Sequence, residues 1–201
     1  MRKMFRNLIF CIVFSLAAGF AAVADQRQML DSSVIRLHVL AASDSVEDQQ
    51  IKLRVRDAVL ESLGEELRNV TDVNLAKQYI RENLPKIRQA AQETLAALGC
   101  QDSVSVTLGE MYFDTREYDH FSLPAGIYDA LRVTIGEGRG QNWWCVVYPT
   151  FCITTQEEFR QVAAGAGFPE ALTGALEGEE YEIRFFLLDL LGRLAGRLRN
   201  G

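Results

Sequence analysis

Two histidines, His38 and His120, four cysteines, Cys11, Cys100, Cys145 and Cys152, and the run Gly136-Glu137-Gly138-Arg139-Gly140-Gln141 are the residues of this 201-residue chain whose types invite a chemical reading. The histidines lie 82 positions apart with no HExxH, and the cysteines form no CxxC, so the common zinc arrangements are absent. A Cys–His hydrolase needs a thiolate beside an imidazole. Cys145 stands in an apolar strand pattern between Trp144 and Val146, a setting that raises a thiol pKa. There is no GxSxG, and Asp114-Thr115-Arg116 fails at the glycine of the aspartic-protease motif. The acid pairs Glu157-Glu158 and Glu179-Glu180 read as solvated faces or caps. Two carboxylates alone leave a glycosidase open, because the spacing that matters is spatial. No catalytic, metal or cofactor residue is assigned.

The glycine run departs from GxGxxG at Gln141 and lacks the lysine of a P-loop. It leads into a strand pattern, whereas a pyrophosphate needs a helix N-terminus. Glycines at alternate positions permit positive φ in a turn. Behind the turn stands Trp143-Trp144. Neighbours on a strand point to opposite faces, so one ring can enter the core while the other meets a second packed layer or a partner. Trp is favoured at binding hot spots. Gly136, Glu137, Gly138, Gly140, Asn142, Trp143 and Trp144 are therefore the candidate partner-binding residues.

The elements that must position these residues follow from periodicity. Val34 to Ala41 alternates, with Ile35, Leu37 and Val39 on one face and Arg36, His38 and Leu40 on the other, which predicts a half-buried strand. Ser45 with Asp48 makes a capping-box-like start to a helix that runs to about Leu63 and stops at Gly64. A second helical stretch covers Val73 to Leu98, restarting near Pro85 with Asn83 as cap and closing at Gly99. Val104, Val106 and Leu108 alternate, with a bulge expected at Gly109 before Met111 and Phe113. Ile127 to Ile135 and Asn142 to Tyr148 predict two strands joined as a hairpin by the glycine run. Residues 156–176 predict a short helix and a loose connection. Tyr181 to Arg199 begins as a short strand and ends as an amphipathic helix with Leu187, Leu191, Leu194 and Leu198 in register. Helices followed by clustered strands indicate an α+β fold with a mainly antiparallel sheet packed with helices.

Composition is that of a globular domain, 48% hydrophobic and 24% charged. The N-terminus differs. Residues 2–7 are basic, Leu8 to Val23 is almost wholly apolar, and Ala22-Val23-Ala24 is a small-x-small site before Asp25. That layout predicts a signal peptide over 1–24 and a single domain over 25–201, with a retained anchor as the other reading. Removing the cations Arg2, Lys3 and Arg6 from the formal charge of −6 leaves −9, which argues against nucleic acid or anionic lipid as partner. Export makes a Cys145–Cys152 disulfide the favoured state over two buried thiols, with Cys100 left as a buried small hydrophobe.

The block PAGIYDALRVTIGEGRGQNWWCVVYPTFC, Pro124 to Cys152, closely resembles the signature region of the stage II sporulation protein R family. The segment Ile35 to Leu63 resembles that family's N-terminal part in matching order. The resemblance implies a protein made in the forespore and exported into the space between the two sporulation membranes. There it would activate the membrane-embedded protease that processes pro-sigma-E, acting as a signalling ligand with no cofactor, nucleic acid or small-molecule substrate. The alternative is an exported hydrolase acting on cell-envelope polymer. A cleft with two inward carboxylates would favour the hydrolase, and a patch around Trp143 or Trp144 the binder.

Overall fold

The computed structural model describes residues 2–149, 156–178 and 183–200. Within them the chain runs α1 (Arg2–Ser33), β1 (Ile35–Leu40), α2 (Val46–Arg68), α3 (Val73–Ala97), β2 (Val104–Phe113), β3 (Arg116–Glu117), β4 (Ser122–Leu123), β5 (Gly126–Ile135), β6 (Asn142–Tyr148), α4 (Gln156–Gly165), α5 (Glu170–Glu177) and α6 (Ile183–Asn200). The main sheet has the order β2-β5-β1-β6, and β3 pairs with β4 in a separate ribbon.

The fold is α+β, but the sheet is mixed. β2 and β6 pair antiparallel with their neighbours, while the central strands β1 and β5 run parallel. The expected hairpin between β5 and β6 does not exist, because β1 lies between them. The loop from Gly136 to Gln141 instead strides across the C-terminal end of β1, and Gly140 N donates to Ala41 O at 3.0 Å. A parallel neighbour needs a crossover, and α2 and α3 lie within the connection that provides it. β1 is therefore covered on both faces, and all six of its residues are buried instead of half of them.

One face of the sheet, with Ile35, Leu37, Val39, Leu131, Val133 and Val147, packs against α2 and α3 through Val55, Val59, Ile80, Ile87 and Leu95. The other, with Tyr128, Ala130 and Val146, packs against Val23 and Leu30 of α1, Phe159 of α4, Leu172 of α5 and Leu188 of α6. The Ser45 cap forms as expected, accepting from Asp48 N at 3.1 Å. Gly64, at φ 71° and ψ −177°, kinks α2 without ending it. α3 is continuous through Pro85, and Asn83 is no cap: its Nδ2 donates to Tyr79 O at 2.8 Å. Asp72 caps the helix instead. β2 pairs in unbroken register through Gly109, so the expected bulge is absent there; an irregularity falls between Ile35 and Arg36 on the β6 side. The loose connection after α4 contains α5, and Ile183 to Phe185 are helical instead of extended, while Tyr181 and Glu182 lie outside the described residues.

α6 docks through small residues. A Cβ on Gly192 would stand 1.6 Å from Ala125 O, and one on Gly196 would stand 2.4 Å from the Tyr112 ring. Asp189 Oδ1 accepts from Ala125 N at 2.8 Å, fixing the register of the contact. Leu194 and Leu198 of the expected apolar stripe are exposed, and Leu187 and Leu191 are half-buried. α1 is long and apolar enough to cross a membrane by length and composition, a test that a signal sequence also meets. Its described side chains up to Ala22 are exposed. From Val23 onward it packs, with Leu30 buried and Arg27 paired to Asp31 in the space left open by Gly126.

Candidate recognition site

The two tryptophans diverge as the strand pleat requires. Trp143 shares the α2 face, where the Arg56 guanidinium lies 4.3 Å over its ring, and it is 37% exposed. Trp144 is half-buried on the opposite face, stacked on His38 at 3.8 Å between centroids and 11° between planes. Phe113 meets Trp144 edge-on at 4.9 Å, and the Arg116 guanidinium stands 5.0 Å from its ring.

Asn142, Trp143 and Trp144 form one wall of a cleft of about 440 Å³. The other wall is the β3–β4 ribbon and its turn, contributing Arg116, Glu117, Tyr118, Asp119, His120 and Phe121. The turn is closed by Tyr118 N donating to Phe121 O at 2.8 Å, and the two rings stack at 4.7 Å. Phe121 stacks in turn on Phe159 of α4. The ribbon is thus fixed from behind by aromatic packing. A larger groove of about 550 Å³ between α3 and β2 is lined by Leu84, Pro85, Arg88, Gln89, Gln92, Glu93 and Val106, with no aromatic residue among them.

Behind the cleft lies a group of cations that the sequence reading missed. Arg36 is wholly buried. Its Nη2 donates to Tyr118 Oη at 3.0 Å, its guanidinium lies over Phe113 at 4.1 Å and Tyr128 at 5.1 Å, and Nε and Nη1 have no hydrogen-bond partner. His38, 5% exposed, stands beside Asn142 with no hydrogen bond of good geometry at either ring nitrogen. Burial lowers its pKa to about 4, with the charges of Arg132, Arg36 and Arg116 acting in the same direction and Asn142 opposing. The imidazole is therefore neutral near pH 7. Arg116 is half-buried, and its Nε is also unpartnered. Among the described residues none of Arg36, Arg116 and Arg132 is ion-paired. Arg36 and His38 share a strand face, a spacing visible in IRLHVL. They passed for solvent-facing because β1 was expected to be covered on one side.

The remaining candidate residues sit beside the cleft. Gly136, Gly138 and Gly140 are half-buried in the loop over β1, and the close approach they permit is made by the chain itself. A Cβ on Gly140 would stand 2.1 Å from Ser43 O, and one on Gly138 would stand 2.6 Å from Thr134. Glu137 is exposed and pairs with Arg139 at 2.9 Å, a contact worth little in water. No disulfide joins the described cysteines, so the expected bridge has no support here, and its second half, Cys152, lies outside the described residues. Cys100 is half-buried, not buried, and its Sγ lies 3.6 Å from Asp102 Oδ2.

The profile of the stage II sporulation protein R family matches residues 31–158. The chain belongs to that family. Stage II sporulation protein R of Bacillus subtilis (strain 168) is 36% identical over 158 residues, which cover 73% of this chain and 70% of that protein. No solved structure matches. The stage II sporulation protein R match spans β1, the β3–β4 ribbon and β6, and so contains every residue of the cleft. It supports a sporulation-related role for the chain.

Proposed function

We propose that this protein is an exported sporulation signal, made in the forespore, which activates the membrane-embedded protease that processes pro-sigma-E from the space between the two membranes. Family membership across residues 31–158 carries the reading. The apolar first two-thirds of α1 agree with export. We read the cleft as a recognition surface and the chain as a ligand, not a catalyst. A polymer hydrolase needs two positioned carboxylates. The acids lining the cleft, Glu117 and Asp119, are both exposed, and neither accepts a hydrogen bond from a described residue.

Co-expression of the chain with its cognate protease and pro-sigma-E, scored for processing, tests the reading. Processing that depends on the chain supports it. Equal processing with and without the chain overturns it. In the exported form we expect a Cys145–Cys152 bridge, formed in an oxidising compartment. Non-reducing peptide mapping checks it, and a bridge through Cys100 contradicts it.

A further inference from the structure

We propose that the cleft between β6 and the β3–β4 ribbon binds a carboxylate presented by a protein partner, an Asp or Glu side chain whose neighbouring apolar groups lie on Trp144. The inference rests on the reading of the chain as a protein-binding signal and names the chemistry the partner must present.

The first ground is charge. Arg36 is buried with a single hydrogen bond and no anion, and Arg116 at the cleft wall is likewise unpaired. Buried charges are costly unless paired and hydrogen-bonded. Aromatic faces offset part of that cost for Arg36. An incoming anion offsets more.

The second ground is the direction of the hydrogen bonds. Tyr118 Oη accepts from Arg36 Nη2 at 3.0 Å, so its own proton is available to donate, and no described acceptor takes it. Tyr118 and Arg116 both line the cleft. In this proposal the hydroxyl and the guanidinium fork serve together as the donors to one carboxylate, with the Arg36 charge polarising the hydroxyl from behind. His38 is neutral, so it supplies a flat partner for Trp144 and no charge.

The third ground selects among anions. Glu117 and Asp119 line the same cleft and stand against a dianion. The chain carries net negative charge, which rejects polyanions such as nucleic acid. A single carboxylate with an apolar flank fits both the donors and the aromatic wall.

The test uses the full chain in non-ionic detergent and follows the fluorescence of its two tryptophans, Trp143 and Trp144, both of which line the cleft. The probes are N-acetylglutamate methylamide, its glutamine counterpart and inorganic phosphate, at constant ionic strength. The glutamate probe is expected to give a saturable change and the glutamine probe none. Arg116→Gln should weaken binding by about tenfold to a hundredfold, the loss of one charge-assisted hydrogen bond. Tyr118→Phe should weaken it in the same sense. Arg116 is half-buried at the rim, so that variant keeps its fold, and an unchanged unfolding midpoint verifies this. Equal responses to glutamate and glutamine, binding of phosphate alone, or undiminished binding by a folded Arg116→Gln overturn the inference. If the glutamate probe fails while the parent chain still drives pro-sigma-E processing, this inference falls alone. If the probe binds as expected while the chain drives no processing, the protease-activator reading falls and the carboxylate site stands.

Discussion

Trp143 and Trp144 are adjacent in sequence, yet their removal should have different consequences, and the difference can be worked out from their surroundings. A Trp ring buries about 150–250 Å², which at about 25 cal/mol per Å² amounts to some 4–6 kcal/mol when fully covered. Trp144 is partly covered, so about half of that applies. It also loses a stack on His38 and an edge contact with Phe113, each about 0.5–1.5 kcal/mol. His38 and Phe113 are held in the core and cannot close the gap, so a cavity remains. Trp144→Ala should therefore destabilise the fold by about 3–5 kcal/mol. Trp143 lies on Arg56, a half-buried side chain paired to the exposed Asp57, whose flexible stem can settle into the vacated space. Its replacement by Ala should cost about 1–2 kcal/mol, with the cation–π contact supplying about 0.5–1 of that. Urea unfolding of both variants followed by far-UV circular dichroism gives the two midpoints. Pro-sigma-E processing gives the second readout, because a hot-spot ring carries about 2–4 kcal/mol of binding. A folded Trp143→Ala chain should lose most of its signalling. Equal destabilisation by the two substitutions, with signalling intact in whatever remains folded, would refute the reading that Trp144 serves both the core and the cleft wall while Trp143 serves the partner alone.

Three further outcomes follow from named contacts. The His38 pKa of about 4 lies below the ordinary 6.5, so the unfolded chain binds a proton that the folded chain refuses. Stability should fall as pH drops from about 6.5 towards 4, by roughly 2–3 kcal/mol from this group, and parent-minus-variant urea midpoints for His38→Gln should isolate that slope. Gly192→Ala drives a methyl into the Ala125 carbonyl, and it should lower stability by about 1–3 kcal/mol or release α6, detected as protease sensitivity after Phe185. The exported protein should begin at Asp25 by mass spectrometry, behind Ala22-Val23-Ala24; an active form found only at full length contradicts this.

Periodicity located most elements because local pattern carries them. The Ser45 cap, the Val73 helix, the Val104, Ile127 and Asn142 strands, and the opposed tryptophans all depend on spacing within a few residues. Pairing was not legible. A glycine-rich link between two apolar runs is the usual hairpin signal, and nothing between Ile135 and Asn142 reveals that β1 has entered from far upstream. α6 misled for a different reason. Its leucines carry the hydrophobic signal, but the contact surface is Gly192 and Gly196, whose value lies in the side chain they lack.

The same gap between local pattern and topology hid the site. On a strand covered on one side, Arg36 and His38 would face water, and their alternation with Ile35, Leu37 and Val39 is ordinary. Only the α2–α3 crossover makes β1 central, and only centrality turns those two residues into a buried cation and a buried neutral imidazole. Once buried, they cannot be indifferent. A buried guanidinium without an anion opposes folding, and the ribbon that carries Tyr118 and Arg116 is the element that comes to meet it. The tryptophan pair drew attention to the right edge of the sheet through residue type alone. The chemistry at that edge came from a strand about 100 residues earlier, whose polar residues acquire meaning only through their neighbours in space.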